Sequence, residues 1–515
     1  MHCIRRLPIS LLAALAVIFA GAVYIIYKIS KTEQPYPGIP VVSLNETSWR
    51  WPWEPAYSSW IKDAKRIVAK GAAECPSCFQ VLTASGYKIV VPNRFADELK
   101  NLPHLSFNEA LAPDLMVNYP GFDGHRESLK SGTFIQEVTR IKLTQSLGLI
   151  TDDLVEESRD AIHEHFGDSP EWQNRYLKDD LVDLVARLSS RVFLGKDLCR
   201  NKTLMKLFKD HTTDISVAMS QLQKCPALIR PIVYWFIPSC TRLRRQVRDI
   251  SSMILPEVEK RIKRVEDAAR RGDKPTKAVD SIAWMVEVAK GRPINYVAGQ
   301  LALSFAAIHM TADSFCKCFM QICQTPDVVN PLRTEIKQIL KENGWSRLTI
   351  YKFWFMDSFL KEVQRLNGMS SINMIRMVKK PTMLSDGTLL PIGSRIMILD
   401  NKVTDPEVFP DPTKFLADRF LNMRLRPGEE HRHQFVTLTH EQLGFGLGTH
   451  ACPGRFFAAN EIKIAMCFML LKYDFRHVPG MEPPKMVEFD MFRMCDPSLQ
   501  IQIRRRLESN DEEVL

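Results

Sequence analysis

GFGLGTHACPG, residues 444–454, is the stretch on which the reading of this chain turns. Gly444, Gly446 and Gly448 alternate ahead of Cys452, and Pro453 and Gly454 follow it. Glycine has no Cβ and accepts positive φ, so such a loop lets backbone approach a flat object closely. It also turns several N–H groups toward one sulfur. Pro453 suits the first turn of a helix. A thiol at a helix amino terminus is drawn toward the thiolate by the dipole and the free N–H groups. That is the electronic situation of a metal-bound thiolate. The stretch also holds a decoy, because Gly446-x-Gly448-x-x-Ala451 has the spacing of a dinucleotide fingerprint. The preceding VTLTHEQL, residues 436–443, makes no clean buried strand and no βαβ unit follows, so that reading lacks its required context.

Outward from this loop, a last helix is expected from Pro453 to about Tyr473. Residues 401–443 are rich in Pro, Asp and Arg with little periodicity, and so long an irregular stretch inside a domain is usually functional. Residues 374–399 hold β-rich runs punctuated by Asp386-Gly387 and Pro391-Ile392-Gly393, the chemistry of hairpin turns. Residues 152–270 and 293–368 show apolar positions at helical spacing, with a solvated helix end at 261–274 closed by Gly272. The stretch 296–323 is apolar but carries His309, Asp313 and Lys317, costly in hydrocarbon, so a long buried helix is expected there. CPALIRPIVYWFIPSC, residues 225–240, reads either as core or as an apolar surface dipping into a membrane. The fold class is mainly α with a minor β region.

The chain has 515 residues, 45% hydrophobic and 25% charged, with 69 Lys and Arg against 59 Asp and Glu and a net charge of +10. Those values exclude a disordered chain, a collagen-like fibre and a small disulfide scaffold. No basic block interleaved with aromatics points to nucleic acid. Cys75 and Cys78 form a C-x-x-C without a second pair at zinc-site spacing. Cys316, Cys318 and Cys323 read as small hydrophobes in a buried helix. Residues 7–27 (LPISLLAALAVIFAGAVYIIY) carry no charge and are long enough for one transmembrane helix across a bilayer of about 30 Å. No convincing cleavage site follows, so a retained anchor is expected rather than a signal peptide. PYPGIP, residues 35–40, is a stiff spacer. The expected organisation is an anchor at 1–30, a proline-rich hinge at 31–40, a catalytic domain at 41–507 and an acidic tail at 508–515.

FGLGTHACPG resembles the cytochrome P450 heme-binding signature F-x-x-G-x-R-x-C-x-G. Phe445, Gly448, Cys452 and Gly454 match, and His450 replaces the usual Arg. Glu362-Val363-Gln364-Arg365 matches the family's E-x-x-R, and Phe415-Leu416-Ala417-Asp418-Arg419-Phe420 its Arg-containing meander. The variant ending in ACPGRFFAANE is especially similar to membrane-bound fungal enzymes of terpenoid secondary metabolism, among them ent-kaurene oxidase-like and indole-diterpene oxidases. The resemblance covers almost the whole chain.

It implies the P450 fold, a triangular helical heme domain, with heme b as cofactor. Cys452 would be the axial thiolate to the iron, within a loop where Phe445 and Gly448 hold the family's positions. A thiolate trans to bound oxygen donates electron density and favours O–O cleavage. Glu362, Arg365 and Arg419 resemble the buried ion-pair cluster that locks the cysteine loop. His450 and Arg376 resemble propionate donors, and Arg140 lies near the family's W-x-x-x-R helix but lacks the Trp. Ala306-Ala307-Ile308-His309-Met310-Thr311 aligns with A-G-x-(D/E)-T-(T/S), with His309 at the acid and Met310 at the proton-relay Thr. Methionine supplies no hydroxyl, so Thr311 with ordered water, tuned by His309, is expected to take over. Residues 107–120, 306–309 and 370–375 resemble substrate-contact regions and are largely apolar, as suits a bulky hydrophobic ligand.

No nicotinamide or flavin module is legible. The resemblance therefore implies electrons from NADPH-cytochrome P450 reductase, with cytochrome b5 as a further partner, at the endoplasmic reticulum membrane with the catalytic domain cytosolic. MRLRPGEEHRH, residues 423–433, offers a basic docking run or a bland solvated loop. The expected activity is monooxygenation of a hydrophobic secondary-metabolite intermediate, a diterpenoid, indole-diterpene, sesquiterpenoid or meroterpenoid. Departures at His309 and Met310 keep open a desaturase, ring-rearranging or multi-step oxidase acting on a polyketide, steroid or fatty acid. A heme-binding but catalytically silent membrane protein is the third possibility.

Overall fold

The computed structural model describes residue 21 and residues 34–44, 55–129, 134–225, 227–272, 279–289, 292–482, 485–506 and 515. The apolar span expected at 7–27 and the tail at 508–515 lie outside these, save for Gly21 and Leu515. Among the described residues no helix is long and apolar enough to cross a membrane.

Ten helices organise the site: α1 (Pro55–Glu74), α2 (Phe107–Leu111), α3 (Asp123–Leu129), α4 (Leu147–Phe166), α5 (Leu177–Leu194), α6 (Lys202–Gln223), α7 (Pro238–Arg271), α8 (Tyr296–Gln324), α9 (Trp354–Leu366) and α10 (Arg455–Lys472). Asn295 caps α8, its side chain accepting from the Ala298 N–H at 2.9 Å, the usual work of an N-cap amide. The helix is the axis of the core and packs against α3, α5, α6, α7, α9 and α10. The charges inside this apolar helix have partners. Lys317 sits one turn after Asp313 and pairs with it at 2.8 Å, both buried. It also donates to the Arg493 carbonyl. Burial of α8 is therefore as expected, and its ions are neutralised internally.

The β portion comprises β1 (Phe79–Thr83), β2 (Gly86–Val91), β3 (Leu105–Ser106), β4 (Gln173–Tyr176), β5 (Ile372–Val378), β6 (Thr382–Met383), β7 (Leu389–Leu390), β8 (Arg395–Leu399), β9 (Tyr473–His477), β10 (Met486–Phe489), β11 (Phe492–Cys495) and β12 (Gln500–Arg505). The main sheet has the order β1-β2-β8-β5-β3. Its β2–β8 pair is parallel, with Ile89 opposite Ile396. The expected hairpin at Asp386-Gly387 is the β6–β7 pair, with Gly387 at φ 84°. The register of β5 slips against β8 between Asn373 and Arg376, and Met374 takes φ 52° there. A bulge of this kind re-aims neighbouring side chains. The hinge prolines do not stand free of the sheet. Gln80 of β1 donates to the carbonyls of Tyr36 and Ile39.

Among the described residues every cysteine is free, and Cys75 and Cys78 hold no metal-type cluster. The 225–240 stretch divides between its two readings: Tyr234 and Cys240 are buried, whereas Ile232, Trp235 and Phe236 are exposed at 66%, 56% and 80%.

Candidate functional site

The cysteine loop is a series of tight backbone turns. Gly446 and Gly448 take φ 70° and 72°. The Gly446 N–H donates to the Leu443 carbonyl at 2.7 Å, the Cys452 N–H to Phe445 at 2.8 Å and the Ala451 N–H to Gly448 at 3.1 Å. At Gly448 a Cβ would lie 2.4 Å from the Lys100 carbonyl oxygen, so backbone packing as well as φ demands glycine. Residues 448–456 are not fully covered, whereas α10 is buried from Glu461 to Leu471. The loop is thus an open cradle set on a solid base. Burial pushes the Cys452 thiol up, while the backbone N–H groups of Gly454 and Arg455 and the Arg455 guanidinium pull it down. Arg455 also donates to the Cys452 carbonyl at 2.8 Å.

Beneath the cradle lies a second set of predicted residues, brought together as expected. Glu362 and Arg365, three apart on α9, make a two-point pair at 2.8 Å for each bond, with both side chains fully buried. Arg419 reaches the same carboxylate at 3.0 Å. The two guanidiniums then hold the irregular stretch: Arg365 donates to the carbonyls of Val403 and Pro412, and Arg419 to those of Pro410, Asp411 and Lys414. One carboxylate therefore organises two cations that stitch residues 403–414 to α9. Sequence reasoning missed a neighbouring network. Asp357 pairs with Lys463 and accepts the Phe435 N–H, while Lys361 donates to the carbonyls of Gln434 and Thr437.

The rim of the cradle is basic. Arg376 is 3% exposed, and its guanidinium donates to the adjacent Ile375 carbonyl at 2.8 Å. Burial alone pulls its guanidinium down to about 10. His450 is held below the usual imidazole range by burial, then by the charges of Arg376 and Arg140, so at neutral pH it is a neutral N–H donor. Arg140 belongs to a π-helical turn, Val138–Leu143, a distortion common at functional sites, and it is exposed. Phe107 stacks on His450 with centroids 5.6 Å apart and lies 5.6 Å beneath the Arg376 guanidinium. A buried cation at a basic rim, with no carboxylate to neutralise it among the described residues, calls for an anionic guest.

The cytochrome P450 family model matches residues 134–503. The chain belongs to the cytochrome P450 family. It is 44% identical over 496 residues to the cytochrome P450 monooxygenase bsc2 of Alternaria brassicicola, covering 96% of this chain and 94% of that one. It is 38% identical to cytochrome P450 monooxygenase 1 of Gibberella fujikuroi, over 84% and 98% of the two chains. The fold matches a retinoic acid-bound cyanobacterial P450, CYP120A1, at a TM-score of 0.64 and 17% identity, covering 92% and 100% of the chains. The protein is a P450 monooxygenase.

Heme fits these residues. The open glycine cradle receives a flat ring, Cys452 presents its sulfur at a helix start, and the unneutralised Arg376 with His450 and Arg140 suits two carboxylates. Bound there, heme supplies dioxygen activation, with the thiolate donating electron density to the iron. The chain's own part is to shield the sulfur with backbone N–H groups, hold the loop through Glu362, and place donors at the rim. Arg455 escaped sequence reasoning, although it lies within the quoted motif, and Phe107, expected only as part of a substrate-contact stretch, lies against His450 and Arg376 at the rim.

On α8, Ala306 and Met310 are exposed one turn apart in a largely buried helix, Met310 at 37%. They form an exposed apolar stripe on the helix, and half-buried Ser314 lies one turn further on. Thr311 is 6% exposed and turned about 100° away. His309 points elsewhere again: its Nε2 is 2.8 Å from the Thr212 hydroxyl of α6. Residues two apart on a helix do not face each other, so His309 and Thr311 do not meet. Burial pulls His309 down to about 4.

Proposed function

We propose that this P450 inserts one oxygen atom from O2 into a hydrophobic secondary-metabolite intermediate, a terpenoid. The observation that carries the reading is the apolar wall that Ala306 and Met310 leave exposed on α8, with Phe305 beside it. Such a wall takes a bulky apolar ligand and leaves orientation to a few polar groups. The resemblance to terpenoid-oxidising enzymes supplies the substrate class. Residues 7–27 would anchor the chain in the endoplasmic reticulum membrane, with exposed Ile232, Trp235 and Phe236 as a second apolar contact. Electrons would come from NADPH-cytochrome P450 reductase, with cytochrome b5 assisting. The run 423–433, where Leu425 is exposed beside Arg426 and Arg432, is proposed as part of that docking face. Thr311, with ordered water, is proposed to supply the hydroxyl that Met310 lacks.

The second reading, a desaturase, ring-rearranging or multi-step oxidase, is favoured by one observation: the exposed residue at this turn of α8 is Met310, which neither donates nor relays a proton. A microsomal incubation with reductase, NADPH and a terpenoid panel under isotopically heavy O2 separates the two. A labelled product supports monooxygenation and names the skeleton. An oxidised product without label moves the assignment to the second reading, and no product from a reducible heme protein removes the terpenoid assignment.

A further inference from the structure

Residues 107–122 run from the basic rim of the cradle toward α8. At one end Phe107 is sandwiched between His450 and Arg376. Just past the other, His125 meets the edge of Phe305 of α8 at 4.3 Å, one residue before the exposed Ala306. The segment therefore roofs the space above the cradle. Most of its ties are made by carbonyls on the helical side. Leu115 accepts from His125 at 2.9 Å, and Val117 and Tyr119 accept from Arg126 at 2.7 and 3.0 Å. Pro120 accepts from the Tyr234 hydroxyl at 2.6 Å. Met116 and Phe122 pack with Ile215, Ala218 and Leu222 of α6.

Midway along, one side chain reaches the opposite way. Asp114 pairs with Lys88 of β2 at 2.8 Å and with Arg395 of β8 at 3.3 Å, neighbouring strands of the main sheet. Lys88 and Arg395 are 3% and 8% exposed. Burial works against the Asp114 carboxylate, but the two cations outweigh it and hold it below the usual range. Arg395 has a second hold on Ser85, through its hydroxyl and its carbonyl. A half-buried carboxylate between two buried cations on adjacent strands is a fixed point, because separating them strands the cations' charge away from water.

We propose that Asp114 is a positioning residue for substrate size: by fixing the middle of the 107–122 roof to the sheet, it sets which hydrophobic ligands pass beneath. The inference rests on the proposed function and on the substrate lying under this segment, whose residues 107–120 resemble a substrate-contact region, and is independent of the terpenoid assignment. Ligand access to the iron tests it without any substrate. In the full-chain holoenzyme, imidazole and the bulkier phenylimidazole are titrated by their spectral shifts, with the carbon monoxide difference spectrum as the check on the intact thiolate. Asp114→Asn is expected to raise the phenylimidazole association rate about tenfold, since an entry step that needs a conformational change limits binding. Imidazole rates should stay level, and Asp114→Glu should restore the discrimination. If the single variant loses its carbon monoxide spectrum, Lys88→Met/Asp114→Leu, which removes both charges of the closer pair, is read instead. Unchanged rates for both ligands, or an equal rise for both, would overturn the proposal. A failure of the terpenoid panel alone would leave it standing.

Discussion

Arg376 is the residue whose surroundings are most incomplete without a guest. Its guanidinium is buried, no carboxylate pairs with it among the described residues, and His450 and Arg140 bring no negative charge to its side of the rim. Arg376→Leu should therefore fold but retain heme poorly, with less than about half the wild-type heme per chain, because a buried charge-assisted bond of roughly 1.5–3 kcal/mol is lost. Heme content against protein concentration measures it; full retention would remove Arg376 from the rim. Asp400 supplies a prediction of a different kind. Its carboxylate accepts the Leu443 N–H, at the base of the cysteine loop, and the Asn373 amide, yet burial pushes it up to about 7. Unfolded, it titrates near 3.9. Between those values the native state keeps a proton that the unfolded chain has released, so stability falls as pH rises from about 4 to about 7 and is level above. The full effect is on the order of 4 kcal/mol. Asp400→Asn cannot charge, and Asn373 can turn its oxygen toward the new amide. Its melting temperatures at about pH 5.5 and about pH 8 should differ less than the wild-type pair, though buried Glu461, pushed up to about 8, keeps some slope. Equal slopes in both proteins would show that Asp400 does not titrate in this window. Cys452, Glu362 and Arg365 were legible in the sequence because each lies in a short motif whose chemistry is local. Asp400 was not, since its burial is set by segments distant in the chain.

At the scale of elements, one carboxylate holds the site together. Glu362 neutralises Arg365 and Arg419, and these bind five carbonyls in residues 403–414. Glu362→Gln leaves two guanidiniums without their anion in a dry interior, which should cost about 3–5 kcal/mol. The expected readout is a fall in the denaturant midpoint and a thiolate signal lost before the helices melt. Retention of both would mean that the carbonyls alone suffice. The helices were legible through their periodicity, including α8, whose interior charges first looked out of place. The main sheet was legible only in part. Residues 374–399 announced themselves by turn chemistry, but β1 and β2 did not. Their place depends on parallel pairing of Ile89 with Ile396, and no local pattern encodes a partner so distant. Likewise Met310 and Thr311 were placed by alignment, whereas their exposures decide which of them lies open.

At the scale of the whole molecule, the segment 225–240 joins the outer surface to the roof. Ile232, Trp235 and Phe236 are exposed, while Tyr234 between them turns inward to hold Pro120. Arg244 lies over the rings of Tyr234 and Trp235 at 4.9 and 4.8 Å, so a cation sits where an anionic headgroup would meet the apolar tip. Were this tip to rest in a bilayer, as proposed, burying side chains of this size in lipid would be worth about 1.5–3 kcal/mol each and would bring the roof to the membrane surface. A hydrophobic substrate dissolved in that bilayer would then enter beneath the 107–122 segment without crossing water. Trp235→Glu/Phe236→Glu should raise KM about tenfold for substrate presented in vesicles, the equivalent of about 1.4 kcal/mol. With the same substrate in detergent, KM and kcat should stay near wild type, because neither side chain reaches the cradle. The contrast between the two media carries the argument: a rise in both would mean that the substitutions disturb Tyr234 and the roof, and a rise in neither would mean that substrate reaches the heme from the aqueous side.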